Sequence, residues 1–203
     1  DPYSFYDAMN LGDVYRLLKN FQAAVRAYMH AAELDPNNPQ AHLGLGVCCL
    51  LAGNDNAAVM AFEQAASLEP DSAFAWQNLG AAYERTGKFY EAIRAYRNSL
   101  EFDSRQPRVL INLGGAYIKQ DRLAPARRAF EMAIEQAPTM ATAHCRLGYC
   151  KYRQRDFPGA LASYQRAAEI DPSLADAHAG LGIVRMTEFL SGPDRPEALR
   201  AQA

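Results

Sequence analysis

The chain has 203 residues, of which 49% are hydrophobic and 22% are charged, and its formal net charge is −2. This composition is typical of a folded protein, and the small negative charge argues against nucleic acid as a partner, because nucleic-acid-binding domains usually carry a basic excess. No apolar run approaches the roughly 20 residues that a membrane-spanning helix needs, so no membrane partner is expected.

A Leu-Gly pair recurs at a constant spacing of 34 residues along the chain, without insertion or deletion. The pairs are Leu11-Gly12, Leu45-Gly46, Leu79-Gly80, Leu113-Gly114, Leu147-Gly148 and Leu181-Gly182. The same spacing links the aromatic residues Tyr28, Phe62, Tyr96, Phe130 and Tyr164. A single array is therefore predicted over residues 1–203. It has five full repeats, at 5–38, 39–72, 73–106, 107–140 and 141–174, and a partial sixth at 175–203.

Each repeat predicts two helices. In the third repeat, Trp76, Leu79, Gly80 and Tyr83 fall on one arc of a first helix. A second stripe of Ala92, Tyr96 and Ser99 marks the second helix. A glycine inside a helix costs about 1 kcal/mol relative to alanine. The recurrence of glycine therefore predicts that it lets the two helices approach closely.

Turn residues separate these predicted helices. Gly53 and Gly87 are expected to end first helices in the left-handed conformation. Prolines end the second helices, because the residue before proline disfavours the α conformation. They are Pro36, Pro70, Pro138 and Pro172, and Ser104 is the exception. Pro196 is expected to start a shifted last helix. Because the chain begins with Asp1 and its first repeat lacks an atypical polar cap, it is expected to be a piece of a longer protein.

This pattern resembles the tetratricopeptide repeat, a 34-residue unit with the signature W-x2-L-G-x2-Y…A-x3-F…P. The match covers residues 5 to about 190. The resemblance implies an all-α fold, an α-α superhelix (TPR solenoid), whose concave groove is formed mainly by the first helices. It also implies that certain positions of the first helices line a groove for a partner peptide or helix. The residues carried over as this groove are Asn10, Leu43, Val47, Asn78, Arg85, Arg108, Asn112, Lys119, Arg146, Tyr149 and Arg153.

The groove predicted in this way is not uniform. The second repeat contributes almost wholly apolar residues, among them Leu43 and Val47. Repeats three to five contribute five basic residues against the single acidic Glu84. A concave basic surface attracts acidic segments, so the expected ligand is a protein or peptide with acidic and hydrophobic residues. The alternative is that these charges are ordinary solvated side chains.

Asparagine recurs at the sixth residue of three repeats, as Asn10, Asn78 and Asn112. Asparagine offers both a donor and an acceptor and could hold the backbone of an extended peptide. A similar ladder is found in the superhelix of O-linked N-acetylglucosamine transferases, but here Gly44, Arg146 and Gly180 interrupt it. The clamp by which co-chaperone repeats hold chaperone C-termini is not expected, because only two of its five residues are matched, by Asn112 and Arg146.

No catalytic or metal-binding pattern is evident. His42, His144 and His178 all occupy the fourth position of a repeat, and they are expected to replace the packing tryptophan rather than to bind metal. Cys48, Cys49 and Cys150 are also expected to pack. The cysteine clusters lie too far apart for a disulfide, which mildly favours a cytoplasmic location. The chain is therefore expected to need no cofactor or metal and not to be an enzyme.

The leading prediction is a non-catalytic protein–protein interaction scaffold that binds its partner in the concave groove. The alternative is that the array recruits substrates for a larger enzyme, such as a glycosyltransferase, whose catalytic domain lies outside this chain. A third possibility is self-association through the uncapped ends of the array, since terminal repeats normally present a polar outer face.

Overall fold

The computed structural model describes residues 4–191, and all the regular secondary structure in this range is α-helical. The helices are α1 (Phe5–Leu17), α2 (Phe21–Leu34), α3 (Pro39–Leu51), α4 (Asp55–Leu68), α5 (Ala73–Arg85), α6 (Phe89–Phe102), α7 (Pro107–Lys119), α8 (Leu123–Gln136), α9 (Ala141–Arg153), α10 (Phe157–Ile170) and α11 (Ala175–Ser191). Each odd-numbered helix begins where a predicted repeat begins. The helices therefore form five consecutive hairpins followed by α11, and the predicted all-α solenoid fold is confirmed. The helix predicted from Pro196 lies outside the described residues.

Short polar side chains fix several helix starts. The Ser4 hydroxyl accepts a hydrogen bond from the Asp7 N–H at 3.2 Å, and the Asp7 carboxylate accepts one from the Ser4 N–H at 3.1 Å. Asn20, Ser72 and Asp156 each accept a backbone N–H in the first turn of α2, α5 and α10. These bonds satisfy N–H groups that have no partner within the helix.

The turn inside each hairpin contains one residue in the left-handed conformation. Gly53 and Gly87 have φ angles of 79° and 76°, which confirms the prediction for them. Lys19, Asp121 and Arg155 occupy the same place in the other three hairpins, with φ angles of 56°, 56° and 63°. The turn geometry is therefore kept even where the residue has a Cβ atom.

The chain divides into two compact units, Asp1–Arg105 with α1–α6 and Gln106–Ala203 with α7–α11. Within each unit the two helices of a hairpin pack together, and each hairpin packs against the next. Successive odd-numbered helices also touch one another: α1 touches α3, α3 touches α5, α7 touches α9, and α9 touches α11. The first helices of the repeats therefore lie side by side within each unit.

The recurring glycines sit against aromatic rings of their own hairpins. A Cβ atom built on Gly80 would lie 2.6 Å from the Tyr96 ring, and one built on Gly114 would lie 2.5 Å from the Phe130 ring. Both distances are too short for real carbon atoms. Only glycine allows the ring to pack directly on the helix backbone, which confirms the predicted reason for its recurrence.

In four repeats, the ring at the fourth position forms a hydrogen bond with the turn that follows the preceding helix. Trp76 Nε1 donates a hydrogen bond to the carbonyl oxygen of Pro70 at 2.8 Å. The corresponding histidine bonds join His42 to Pro36, His144 to Pro138 and His178 to Pro172, at 2.9, 3.0 and 2.9 Å. Because a carbonyl only accepts, Nε2 carries the proton in each histidine. The histidines therefore make the same hydrogen bond as Trp76 and replace the packing tryptophan, as predicted.

Candidate functional site

The second unit contains a cavity of about 490 Å³ between α7, α9 and the start of α11. It brings together three residues of the predicted groove, Arg108, Asn112 and Arg146. Its other lining residues are Ile111, Met140, Thr142, Cys145, Leu174 and Asp176. Polar and apolar side chains therefore meet around one hollow, which makes it the candidate site.

The helices explain how these side chains converge. Arg108 and Asn112 are four residues apart on α7 and therefore lie on one face of that helix. Arg146 comes from α9, which packs against α7. All three side chains are exposed, whereas Ile111 is half-buried. The polar groups therefore reach solvent, with apolar surface beside them.

The cavity has unbalanced charges. Arg108 and Arg146 form no ion pair or hydrogen bond with the described residues, and Asp176 is the only acidic residue that lines the cavity. Cys145 is buried against the cavity, and burial raises the pKa of its thiol, so it stays protonated at neutral pH. The cavity is therefore suited to an anionic group rather than to thiol chemistry.

Three further predicted residues of this unit lie on α7 and α9 outside the cavity lining. Arg153 forms an ion pair with Asp121 at 2.6 Å and also donates a hydrogen bond to the Tyr149 hydroxyl at 2.9 Å. Tyr149 is half-buried against the core of the second unit. Lys119 is exposed at the last residue of α7. Arg153 is therefore already engaged within the chain.

In the first unit, the prediction that Leu43 lines the groove is wrong. Its side chain is only 5% exposed and belongs to a core cluster that includes Phe62 and Ala75. Val47 is half-buried and packs against the same cluster. The hairpins on either side cover this face of α3, because burying apolar side chains stabilises the stack.

The polar groove residues of the first unit differ in their partners. Arg85 forms an ion pair with Asp55, the first residue of α4, at 2.7 Å. The Asn78 amide donates a hydrogen bond to the carbonyl oxygen of Phe74 in its own helix at 2.7 Å. Asn10 is exposed on α1. Of these three, Asn10 alone has no intramolecular bond among the described residues.

The interruptions of the asparagine ladder have a packing cause. A Cβ atom on Gly44 would lie 2.4 Å from the Tyr28 ring, and one on Gly180 would lie 2.4 Å from the Tyr164 ring. Each ring belongs to the preceding hairpin of the same unit. The sixth residue of these two repeats therefore forms a seat for a ring and cannot carry a ligand-binding side chain.

Six of the nine cavity residues are not among those carried over as the groove, and three of these six lie near the junctions between repeats. Met140 and Leu174 are the last residues of their repeats, and Asp176 is the second residue of α11. Met140 occupies the cap position of α9 without a side-chain capping bond. In other repeats this position holds a capping residue, such as Asn38 or Ser72. The apolar residue at this position was therefore the one sequence feature that could have indicated the role of Met140.

Repeated helical hairpins, glycine-seated rings and a row of first helices define a tetratricopeptide repeat protein. Within that class, the chain belongs to the family described as the cilia and flagella-associated protein 70 C-terminal domain, whose model matches residues 7–182. A search of curated proteins gave no match.

Solved structures of other repeat proteins share the fold. The crystal structure of MamA is 25% identical, with a TM-score of 0.78, and the alignment covers 81% of this chain and 96% of that one. YrrB, described as a TPR protein with an unusual peptide-binding site, is 20% identical, with a TM-score of 0.76 and coverage of 87% of this chain and 91% of that one. The first TPR of Spaghetti (RPAP3), bound to the HSP90 peptide SRMEEVD, is 23% identical, with a TM-score of 0.55 and coverage of 57% and 91%.

Proposed function

We propose that this chain is a non-catalytic interaction module that binds a partner segment carrying acidic and apolar side chains in the cavity of the second unit. The observation that carries the proposal is the pair Arg108 and Arg146, which line the same cavity and form no ion pair with a carboxylate among residues 4–191. The cavity volume lies within the usual range for ligand sites, roughly 300–1,000 Å³.

Each group of the cavity has a role in this proposal. Guanidinium groups form short, charge-assisted hydrogen bonds with carboxylates, and two of them can hold two acidic residues of a peptide. The Asn112 amide offers a donor and an acceptor to the peptide backbone. Ile111, Met140 and Leu174 offer apolar surface to a hydrophobic anchor. This division into polar groups that orient and apolar groups that bury area is common in binding sites.

The comparisons support an interaction role in general terms. Two of the similar structures are described as having a peptide-binding site or a bound peptide, and the bound peptide is acidic. At 20% and 23% sequence identity, these two structures show only that the fold is shared. We do not propose a chaperone C-terminus as the ligand, because this chain matches only two of the five clamp residues.

Titration calorimetry with short synthetic peptides that alternate glutamate and leucine tests the proposal. Arg108→Glu and Arg146→Glu are each expected to weaken binding about tenfold or more, because they replace attraction with repulsion. Arg128→Glu is the matched control, because Arg128 is exposed on α8 and does not line the cavity. Binding should also weaken as salt concentration rises.

Two results would contradict the proposal. One is equal binding by the wild type and both cavity variants. The other is equal affinity for a peptide in which lysine replaces glutamate. Asp176→Asn gives a graded check, since removal of the one acidic lining group should strengthen binding of an acidic peptide by a factor of about three.

The alternative, recruitment of substrates to a larger enzyme, stays a prediction, and so does the cytoplasmic location.

All four cysteines are free and buried. Burial raises the pKa of Cys48 and Cys150 to about 11, so these thiols are poor nucleophiles at neutral pH. No helix among residues 4–191 is long and apolar enough to span a membrane.

A further inference from the structure

A second cavity, of about 450 Å³, lies in the first unit between α4, α5 and α6. Its lining includes none of the residues predicted for the groove. Trp76 and Tyr83 lie seven residues apart on one face of α5 and give the cavity an aromatic wall. Its polar lining residues include Glu63, Glu91, Arg94 and Asn98. We call this cavity the aromatic cleft.

The hydrogen-bond donors of the two rings are already used within the chain. The Trp76 Nε1–H donates to the carbonyl oxygen of Pro70 at 2.8 Å, and the Tyr83 hydroxyl donates to the Glu63 carboxylate at 2.5 Å. Burial, together with the bond to Glu63, raises the pKa of Tyr83, so the hydroxyl keeps its proton at neutral pH. Both rings are therefore held in place, and neither has a donor left for a ligand.

The carboxylates of the cleft keep acceptor capacity for a ligand. Glu91 is exposed and forms no ion pair or hydrogen bond with the other residues of the described range. Glu63 accepts the bond from Tyr83, but a carboxylate has about four acceptor sites in all. Arg94 is the only basic residue that lines the cleft, so the lining has an excess of negative charge. The aromatic cleft therefore suits a ligand that is cationic and rich in donors.

The corresponding cleft of the fifth hairpin has balanced charges instead. Lys151 takes the place of Tyr83 there, and its Nζ donates a hydrogen bond to the Ser163 hydroxyl at 3.1 Å. The charged residues that line this cleft are Glu131, Glu135, Lys151 and Arg166. In the fifth hairpin the chain itself thus supplies a cation at the place where the third hairpin has an aromatic ring.

We propose that the aromatic cleft binds an arginine side chain of a partner protein. A guanidinium group is planar, stacks on aromatic rings and carries five donors, whereas the lysine ammonium is compact and strongly hydrated. Lys88 Nζ already lies 5.8 Å from the centroid of the Tyr83 ring, so the half-buried Trp76 is the ring left for the ligand. The proposal does not depend on the ligand of the cavity in the second unit, whose lining has the opposite excess of charge.

Trp76 is the single tryptophan of the chain, so its fluorescence reports directly on the occupancy of the cleft. The probe is a short synthetic peptide of glycine and serine with one arginine in the middle. Its partner peptide has citrulline in place of arginine, which keeps nearly the same shape but has no charge. The intact chain should show a saturable change in fluorescence with the arginine peptide. The citrulline peptide should bind about tenfold or more weakly, because it cannot form charge-assisted hydrogen bonds as a cation.

Three variants locate the site. Glu91→Gln should weaken binding of the arginine peptide about fivefold, because it removes one of the two carboxylates. Arg94→Gln should strengthen it about threefold, because it removes a like charge. Glu101→Gln is the matched control, since Glu101 is exposed on the same helix and does not line the cleft. All three side chains are exposed, so the fold should be kept, and circular dichroism checks this.

Titration calorimetry with the same peptides measures the affinities independently of fluorescence. Absence of saturable binding of the arginine peptide by both methods would overturn the proposal. Equal affinity for the citrulline peptide would also overturn it, because the cleft would then not recognise charge. Equal binding by the wild type and Glu91→Gln would remove the carboxylate from the site. A peptide with lysine in place of arginine is expected to bind more weakly, and equal affinity for it would overturn the assignment to a guanidinium group.

Discussion

The helix α3 of the first unit and the helix α9 of the second unit occupy the same place in their hairpins but present different surfaces. The sixth residue of the repeat is Gly44 in α3 and Arg146 in α9. Gly44 packs under the Tyr28 ring, and its neighbour Leu43 is buried in the core. Arg146 is exposed and lines a cavity with Arg108. One helix uses this face for packing, and the other leaves the polar side chain of Arg146 exposed.

The Tyr28 ring shows what fixes the packed arrangement. It lies between Gly12 and Gly44, where Cβ atoms would come within 2.8 and 2.4 Å of it. Its hydroxyl donates a hydrogen bond to Asp13 at 2.8 Å. Burial, together with this bond, raises the pKa of Tyr28 to about 12, so the hydroxyl remains a donor at neutral pH. A position in the repeat therefore does not by itself decide whether a residue is packed or exposed. The sixth position is covered by a ring at Gly44 and is exposed at Arg146.

The largest expected effect is the difference in the free energy of unfolding between a substitution of the buried Leu43 in α3 and one of the exposed Arg146 in α9. Leu43→Ala should lower the free energy of unfolding by about 3 kcal/mol, because it removes buried methyl groups and leaves a cavity. Arg146→Ala should lower it by less than about 0.5 kcal/mol, because that side chain is exposed and forms no ion pair or hydrogen bond within the described part of the chain. Guanidinium unfolding measures both. Equal effects would mean that the two positions do not differ in burial.

A smaller effect is expected at the glycine of α3. Gly44→Ala should lower the free energy of unfolding by about 2 kcal/mol, because the Tyr28 ring is held on both sides and cannot withdraw. Gly182→Ala is the matched control in α11, where the new methyl group meets nothing. That change should raise stability by up to about 1 kcal/mol, from helix propensity alone. An increase in stability caused by Gly44→Ala would show that packing of the Tyr28 ring does not require a glycine at this position.

Sequence reasoning could predict the fold because the spacing of the Leu-Gly pairs is constant. That spacing places the start of each first helix, and the odd-numbered helices α1 to α11 begin where it requires. The left-handed turn was predictable only at Gly53 and Gly87, where the residue type signals it. At Arg155 the same conformation follows from the hairpin and not from the residue, so the sequence gives no local sign of it.

The candidate site was predictable only in part. Arg108, Asn112 and Arg146 were assigned to the groove from the family resemblance, and they line one cavity in the structure. Their role in binding a ligand stays a prediction. The resemblance could not show that the flanking hairpins cover Leu43. It also could not show that Arg153 pairs with the carboxylate of Asp121, which is distant in the sequence. Burial and ion pairing depend on neighbouring hairpins, and a pattern within one helix contains no information about them.

The smallest expected effect lies in the turns that follow α3 and α9. Gly53 and Arg155 occupy the same place in these turns, with φ angles of 79° and 63°. A side chain with a Cβ atom is strained in this conformation by roughly 1 kcal/mol, whereas glycine adopts it freely. Arg155→Gly should therefore raise the free energy of unfolding by about 0.5–1 kcal/mol, and Gly53→Ala should lower it by a similar amount. Space does not limit the alanine, because its Cβ atom would meet nothing within 4 Å, so the effect isolates the backbone. Thermal unfolding of both variants measures it, and a loss of stability in Arg155→Gly would mean that the arginine side chain contributes more than the strain costs.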